Sequence, residues 1–333
     1  MSETYFVRDY AAGDEVAIQS AFTRAFGVER SLAEWRWKFR ASPLGSRIVL
    51  TFDAGGELVC QYAALQVAAV WGGEPVVAAQ IVDVFSLRRK SLGPRGGPFL
   101  QTLERFLAAC AQPDGVAFVY GFPGERHQRV GTVAGRYFAP VPLERLRCSL
   151  VSSNAAVSAL ASPLLRSPDL ARVWIAEGFD ASAADRLWNR CAGRYPFATV
   201  RDAGWTRWRY QDHPAARYAQ FSVRRGGEPR AWGVLSCVGE TARWVDLLWD
   251  GERREDLHAL AAMMGNRAAA RGCSSMEVWV RGDAPALAAL RSVGFATEPE
   301  PFLHLSAISF DVRIGVPQVL SDFYLTMGDS DHF

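Results

Sequence analysis

Apolar residues at Val16, Ile18, Ala21, Phe22 and Phe26 recur at helical spacing and predict an amphipathic helix over 13–26. A short strand opens the chain at Phe6-Val7-Arg8, and a second helix is expected over 30–40. Two strands flank Gly55-Gly56 in the pattern of a hairpin closed by a glycine turn. The run 76–85 is a continuous apolar strand, and 99–111 places Phe99, Leu100, Leu103, Phe106 and Leu107 on one helical face. A strand over 116–120 and a short helix over 125–133 complete the series. The order then returns: helices over 181–191 and 205–210, hairpin strands over 221–225 and 231–237, a strand over 244–249, a helix over 256–271, a strand over 275–280 and a helix over 284–293.

The return is visible in the residues themselves. Trp37-Lys38-Phe39 with Pro43 matches Trp208-Arg209-Tyr210 with Pro214, and Gly55-Gly56-Glu57 matches Gly226-Gly227-Glu228, both at an offset of 171. Val82-Asp83-Val84 matches Val245-Asp246-Leu247, and Val130-Gly131 matches Val293-Gly294, both at 163. Four matches in order at two constant offsets argue for a duplicated domain that has lost eight residues between hairpin and Val-Asp strand in its second copy. The expected boundaries are 1–148 and 171–333, joined by a connection over 149–170 rich in Ser, Ala and Pro.

Composition narrows the function classes. At 333 residues the chain suits two domains, and 49% hydrophobic with 22% charged residues excludes global disorder. Lys plus Arg number 37 and Asp plus Glu 35, so the net charge of +2 lacks the footprint of a general nucleic-acid binder. No run is long and apolar enough to span a bilayer, and the acidic start is not that of a signal peptide. The six cysteines are dispersed, with no CxxC, and the five histidines form no zinc motif, so a reducing cytoplasm and no metal are expected.

A helical pair, a meander, then strand–helix–strand–helix resembles the GNAT acyltransferase superfamily. The specific signal is Asp283-Ala284-Pro285-Ala286-Leu287-Ala288-Ala289-Leu290-Arg291-Ser292-Val293-Gly294-Phe295, which is similar to the superfamily's Asn-x-x-Ala-x-x-x-Tyr-x-x-x-Gly-Phe helix and exit. The resemblance covers most of the chain as a tandem pair. It implies an α/β chain of two GNAT-like domains, each a mixed, centrally splayed sheet flanked by helices.

The resemblance also implies acetyl-CoA or another acyl-CoA as co-substrate, bound where the Val-Asp strand gives way to a helix. Backbone groups near Val82, Val84 and Phe85 would pair with the pantetheine arm. The turn Arg88-Arg89-Lys90-Ser91-Leu92-Gly93-Pro94-Arg95-Gly96-Gly97 offers three glycines and four basic residues at a helix start, where free N–H groups attract phosphate. Arg88, Arg89, Gly93, Arg95, Gly96 and Gly97 are thus the expected cofactor contacts. The second copy offers Asp250-Gly251-Glu252-Arg253-Arg254-Glu255-Asp256, whose four carboxylates repel a pyrophosphate. The first copy is therefore the expected donor site, and the second a support.

Transfer from a thioester needs a neutral amine, an oxyanion donor and a proton for the departing thiolate. Counting back four from the Gly-Phe glycine, as in the superfamily, gives His127 in the first copy and Leu290 in the second. His127 is the candidate acid, with Tyr120 and Tyr137 as rivals. Candidate bases are Asp329, Asp331 and the terminal carboxylate of Phe333, set against a docked terminal strand with no catalytic part. Asp83 recurs as Asp246 in the second copy, which favours a structural role for both. The same logic makes Trp35-Arg36-Trp37 and Trp208-Arg209-Tyr210 core rather than ligand platforms. The expected reaction is direct attack by an amine-bearing acceptor, in a monomer or homodimer. Two rivals are a Fem-type transferase using charged tRNA and an inactive GNAT pair that serves as a scaffold.

Overall fold

The computed structural model describes residues 4–87, 97–112, 115–124, 127–129, 132, 140–150 and 173–332. The chain divides into two compact units. The first comprises residues up to Ala68, Val76–Pro140 and Leu305–Pro317; the second comprises Ala69–Pro75, Val141–His304 and Gln318 onwards.

The first unit opens with β1 (Tyr5–Asp9), α1 (Glu15–Phe26) and α2 (Leu32–Phe39). Ser31 caps α2, accepting from the Glu34 N–H while the Glu34 carboxylate takes the Ser31 N–H. The strands β2 (Ser46–Asp53) and β3 (Leu58–Trp71) pair antiparallel around the expected turn, where Gly56 sits at φ 78°. Then come β4 (Glu74–Ser86), α3 (Pro98–Cys110) and β5 (Phe118–Gly121). Proline at the first position of α3 surrenders an N–H the helix would not have used. The periodic face forecast for this helix is the buried one: Phe99, Leu103 and Phe106 pack with Tyr62, Ala79 and Val119 of the sheet.

The second unit holds β6 (Val141–Ser149), β7 (Val173–Glu177), α4 (Ala181–Cys191), β8 (Phe197–Thr199) and α5 (Ala203–Thr206), which runs on as a wider turn over Arg207–Gln211. There follow β9 (Ala219–Arg225), β10 (Glu228–Val238), β11 (Thr241–Trp249), α6 (Arg254–Ala270), β12 (Ser275–Val278), α7 (Ala284–Ser292), β13 (Ala296–Ser309), α8 (Val316–Asp322) and β14 (Phe323–Tyr324), of which Leu305–Ser309 and Val316–Pro317 belong to the first unit. Its sheet carries the neighbours β7, β9, β10, β11, β12 and β6.

The two units repeat each other at the level of register. In the first, β4 and β5 run parallel with Ala78 opposite Phe118 and Gln80 opposite Tyr120. In the second, β11 and β12 run parallel with Thr241 opposite Ser275 and Arg243 opposite Glu277. Ala78 and Thr241 are 163 apart, the offset read from the Val-Asp motif. One feature was not foreseen. The strand beside each parallel pair comes from the other half of the sequence. Residues Ser275–Val278 of β12 pair with Leu146–Ser149 of β6, which precedes the second copy. Residues Phe118–Gly121 of β5 pair with Ser306–Ser309 at the end of β13.

Candidate active site

Strand β4 runs on past the end of β5. The registered pairs end at Gln80–Tyr120 and β5 ends at Gly121, which lies close against Ile81, while β4 continues to Ser86. Asp83 is the one described non-glycine residue with positive φ, at 49°. A single residue in the left-handed region bulges the strand and resets its alternation. The reset is visible in the packing: Ile81 and Val84, three apart rather than two, both lie against the α3 core, while the Phe85 ring meets Phe26 of α1 edge-on at 6.2 Å. Val82 and Phe85 are buried. The expected pantetheine-contacting residues Val82, Val84 and Phe85 therefore flank the Asp83 bulge, on the part of β4 that runs past the end of β5.

The Asp83 carboxylate is fixed from two helical elements. Arg30, just before α2, pairs with one oxygen, and Lys38 of α2 donates to the other at 2.7 Å. The Gln61 side-chain amide donates to the Asp83 carbonyl at 3.0 Å. The second unit is built alike. Arg201 donates to Asp246 at 2.8 Å, and Tyr210 donates to its other oxygen at 2.6 Å. Arg201 stands 171 after Arg30, and Tyr210 stands 171 after Phe39. Asp83 and Asp246 are thus tethers between bulge and helix. The arginines were overlooked in the sequence, although they obey the same offset as the tryptophan motif. Those motifs are core as expected: Trp35, Trp208 and Tyr210 are buried.

The remaining candidates divide between the units. Tyr120 ends the paired part of β5 and is fully buried. His127 packs edge-on against Phe99 at 5.4 Å and Tyr62 at 6.1 Å, and this burial pushes its imidazole down to about 4. At pH 7 such a ring is protonated in roughly one molecule in a thousand. Asp329 lies in the second unit, wholly buried, accepting from Arg201 at 2.6 Å and from the Thr199 hydroxyl. One arginine there serves two buried carboxylates, and burial holds Asp329 above the usual carboxylate range. Asp331 is half-buried in the turn that follows. Gly97 caps α3, as a residue at a phosphate-binding helix start would. Tyr137, Phe333, Arg88, Arg89, Gly93, Arg95 and Gly96 lie outside the described residues. Sequence reasoning also overlooked Gln61 and Gln80. The Gln61 Oε1 and Gln80 Nε2 atoms are buried without a hydrogen-bond partner among the described residues.

The acidic loop of the second unit is matched by its own arginines. Arg230 pairs with Asp250 at 3.1 Å and Glu252 at 2.7 Å, and Arg225 pairs with Asp256 at 2.7 Å. Among the described residues no group of three or more His, Cys, Asp or Glu could hold a metal ion, and no helix is long and apolar enough to cross a membrane.

Solved structures share this fold. A GCN5-related N-acetyltransferase from Kribbella flavida superposes with TM-score 0.64 at 14% identity, covering 93% of this chain and 72% of that one. A tandem GNAT protein from the clavulanic acid biosynthesis pathway gives 0.56 at 12% identity, covering 92% and 99%. This chain has the GNAT fold. Saccharomyces cerevisiae N-myristoyltransferase with bound myristoyl-CoA gives 0.55 at 10% identity, covering 92% and 83%. No family model matches the sequence, and no curated protein does either.

Proposed function

We propose that this protein is an acyl-CoA-dependent N-acyltransferase whose first unit binds the donor, with acetyl-CoA the first donor to try and an amine as acceptor. One observation carries the reading: β4 runs past the end of β5 into the Asp83 bulge, which is locked by Arg30, Lys38 and Gln61. A rigid bulge presents backbone groups at a fixed spacing, as an oxyanion donor must. The pantetheine arm runs beside Val82, Val84 and Phe85, and the pyrophosphate meets the turn that includes Arg88, Arg89, Gly93, Arg95 and Gly96 and ends at Gly97. The Gln61 Oε1 and Gln80 Nε2 atoms, buried and unmatched among the described residues, are groups a bound substrate satisfies.

The amine attacks the thioester carbonyl carbon directly, the tetrahedral intermediate collapses, and the thiolate leaves with a proton. Tyr120 is the better donor of that proton, because the neutral ring of His127 has none to release at pH 7. Cys60 and Cys110 of the first unit are buried thiols pushed up to about 12, which disfavours a covalent acyl-cysteine there.

Calorimetric titration with acetyl-CoA and CoA tests the reading, alongside an Arg95→Glu, Gly96→Asp double variant. The expected result is micromolar-class binding, about −8 kcal/mol, lost in the variant. A folded protein that binds neither ligand refutes it. Tyr120→Phe should then lower kcat about 100-fold with KM for the donor little changed.

A further inference from the structure

The second unit has the same overhang, and something already lies beside it. Strand β11 pairs with the whole of β12, from Thr241–Ser275 to Trp244–Val278, then runs on past its end to Trp249. Its bulge falls at Val245: Val234 faces Asp246 while Leu235 faces Trp244. Beside the overhang comes the chain's own end. Leu325 and Arg281, just past β12, exchange backbone hydrogen bonds at 3.0 and 3.1 Å. On the other side the Tyr324 hydroxyl donates to the Leu247 carbonyl at 2.6 Å. Leu247 is the counterpart, 163 residues on, of Val84, an expected pantetheine contact.

The fit is close along the whole segment. Every residue from Phe323 to Ser330 is buried. A side chain at Gly328 would stand 2.2 Å from the Tyr210 hydroxyl and 2.9 Å from the Asp246 carboxylate. One at Gly282 would stand 2.9 Å from the Phe323 carbonyl. The polar groups of the bulge are spoken for: the Leu247 N–H donates to Asp246 at 2.9 Å, and the Trp244 indole donates to the Asp246 carbonyl at 2.9 Å. Thr326 donates to Asp246 at 2.8 Å, and Asp329 joins through Arg201. Further along, where a pyrophosphate would lie, Arg194 donates to the Trp249 carbonyl, and a side chain at Gly251 would strike its guanidinium at 2.6 Å.

We infer that the segment Phe323–Ser330 is the built-in occupant of the second unit's donor cleft and keeps acyl-CoA out of it. The inference rests on the proposed function for what the cleft would otherwise hold. The segment supplies a strand-like backbone on the β12 side and a phenol on the β11 side, the two kinds of contact an extended amide-bearing arm would make. It is a permanent filling rather than a mobile lid, because its carboxylate and hydroxyl groups complete a buried network that leaves no described partner to exchange for solvent. Each chain therefore takes up one acyl-CoA.

Hydrogen–deuterium exchange on the full-length protein, with and without acetyl-CoA, tests this. The amides of Leu325, Arg281 and Leu247 should exchange at least about 100-fold more slowly than an unfolded chain in the ligand-free protein. Added acetyl-CoA should change protection in the first unit only, with a titration stoichiometry of one per chain. Gly328→Ala, which forces the segment outward, should speed exchange over 323–330 at least about tenfold and leave first-unit exchange as it was. Fast exchange over 323–330 in the unmodified protein overturns the inference even if acetyl-CoA binds. So does a second equivalent of acetyl-CoA, or protection of 244–249 on adding it. Slow exchange over 323–330 in a protein that binds no acetyl-CoA upholds the built-in occupant and sinks the proposed function instead.

Discussion

Replacing Arg201 by Met is the sharpest test of how the second unit is held together. Arg201 is fully buried and donates five hydrogen bonds: to Asp246, Asp329, Thr326, the Thr199 hydroxyl and the Thr199 carbonyl. Methionine fills much of the volume and supplies neither charge nor donor. Two buried carboxylates are then left with hydroxyls and the Leu247 and Thr326 N–H groups but no positive partner. Breaking a buried pair by removing one partner costs about 3–5 kcal/mol. The counterpart substitution, Arg30→Met, is an internal control. Asp83 keeps Lys38 at 2.7 Å, so its carboxylate loses one charge-assisted hydrogen bond, worth about 1.5–3 kcal/mol, while the half-exposed Gln19 loses its two bonds from Arg30. Urea unfolding followed by tryptophan fluorescence reads both. With a slope of about 2 kcal/mol per molar, Arg201→Met should lower the midpoint by about 2 M and Arg30→Met by about half as much. An Arg201→Met protein within about 0.5 M of the unmodified midpoint, or one more stable than Arg30→Met, would refute the reasoning.

Further expectations concern pH and packing. His127 has a folded value depressed to about 4, so its contribution is present above the unfolded value near 6.5 and is lost as pH falls through 4. A His127→Phe protein should be less acid-sensitive between pH 6.5 and 4, by at most about 3 kcal/mol, in unfolding curves taken across that range. Asp329 is raised, so its contribution is present below the ordinary carboxylate value and fades as pH climbs through the folded one. Asp329→Asn should therefore gain on the unmodified protein as pH rises from 4 to 8, and a flat difference would count against it. Phe106→Ala empties a fully buried site under the first sheet and should lower stability by about 3–5 kcal/mol in the same assay.

The parts legible in the sequence were those set by local rules. The hairpins around Gly55-Gly56 and Gly226-Gly227 follow from glycine turns at positive φ, and the α3 face follows from the spacing of Phe99, Leu103 and Phe106. The structural weight of Asp83 and Asp246 followed from their repetition, since a carboxylate needed for chemistry in one site has no reason to recur in both. Arg30 and Arg201 escaped notice because arginine before a helix is unremarkable until its carboxylate is seen to approach across 53 or 45 residues. The environment of His127 was equally hidden: spacing placed it four before a glycine, but only tertiary packing puts it against Phe99 and Tyr62. The terminal segment was expected to dock as a strand. Its seat between β11 and Arg281 is a matter of long-range pairing, which apolar patterning does not encode.

The exchange of β6 and β13 has a consequence for how the chain is made. Gly121 has its antiparallel partner in Ser306, 185 residues later. At a synthesis rate of about 5–20 residues per second, the edge of β5 waits roughly 9–37 s for the strand that covers it. An apolar edge left open that long is a template for a neighbouring chain. A nascent-chain chaperone that holds the first unit until β13 is made, or a slow concentration-dependent step on refolding from urea, is the behaviour this topology selects for. Neither half of the gene, expressed alone, encodes a finished sheet.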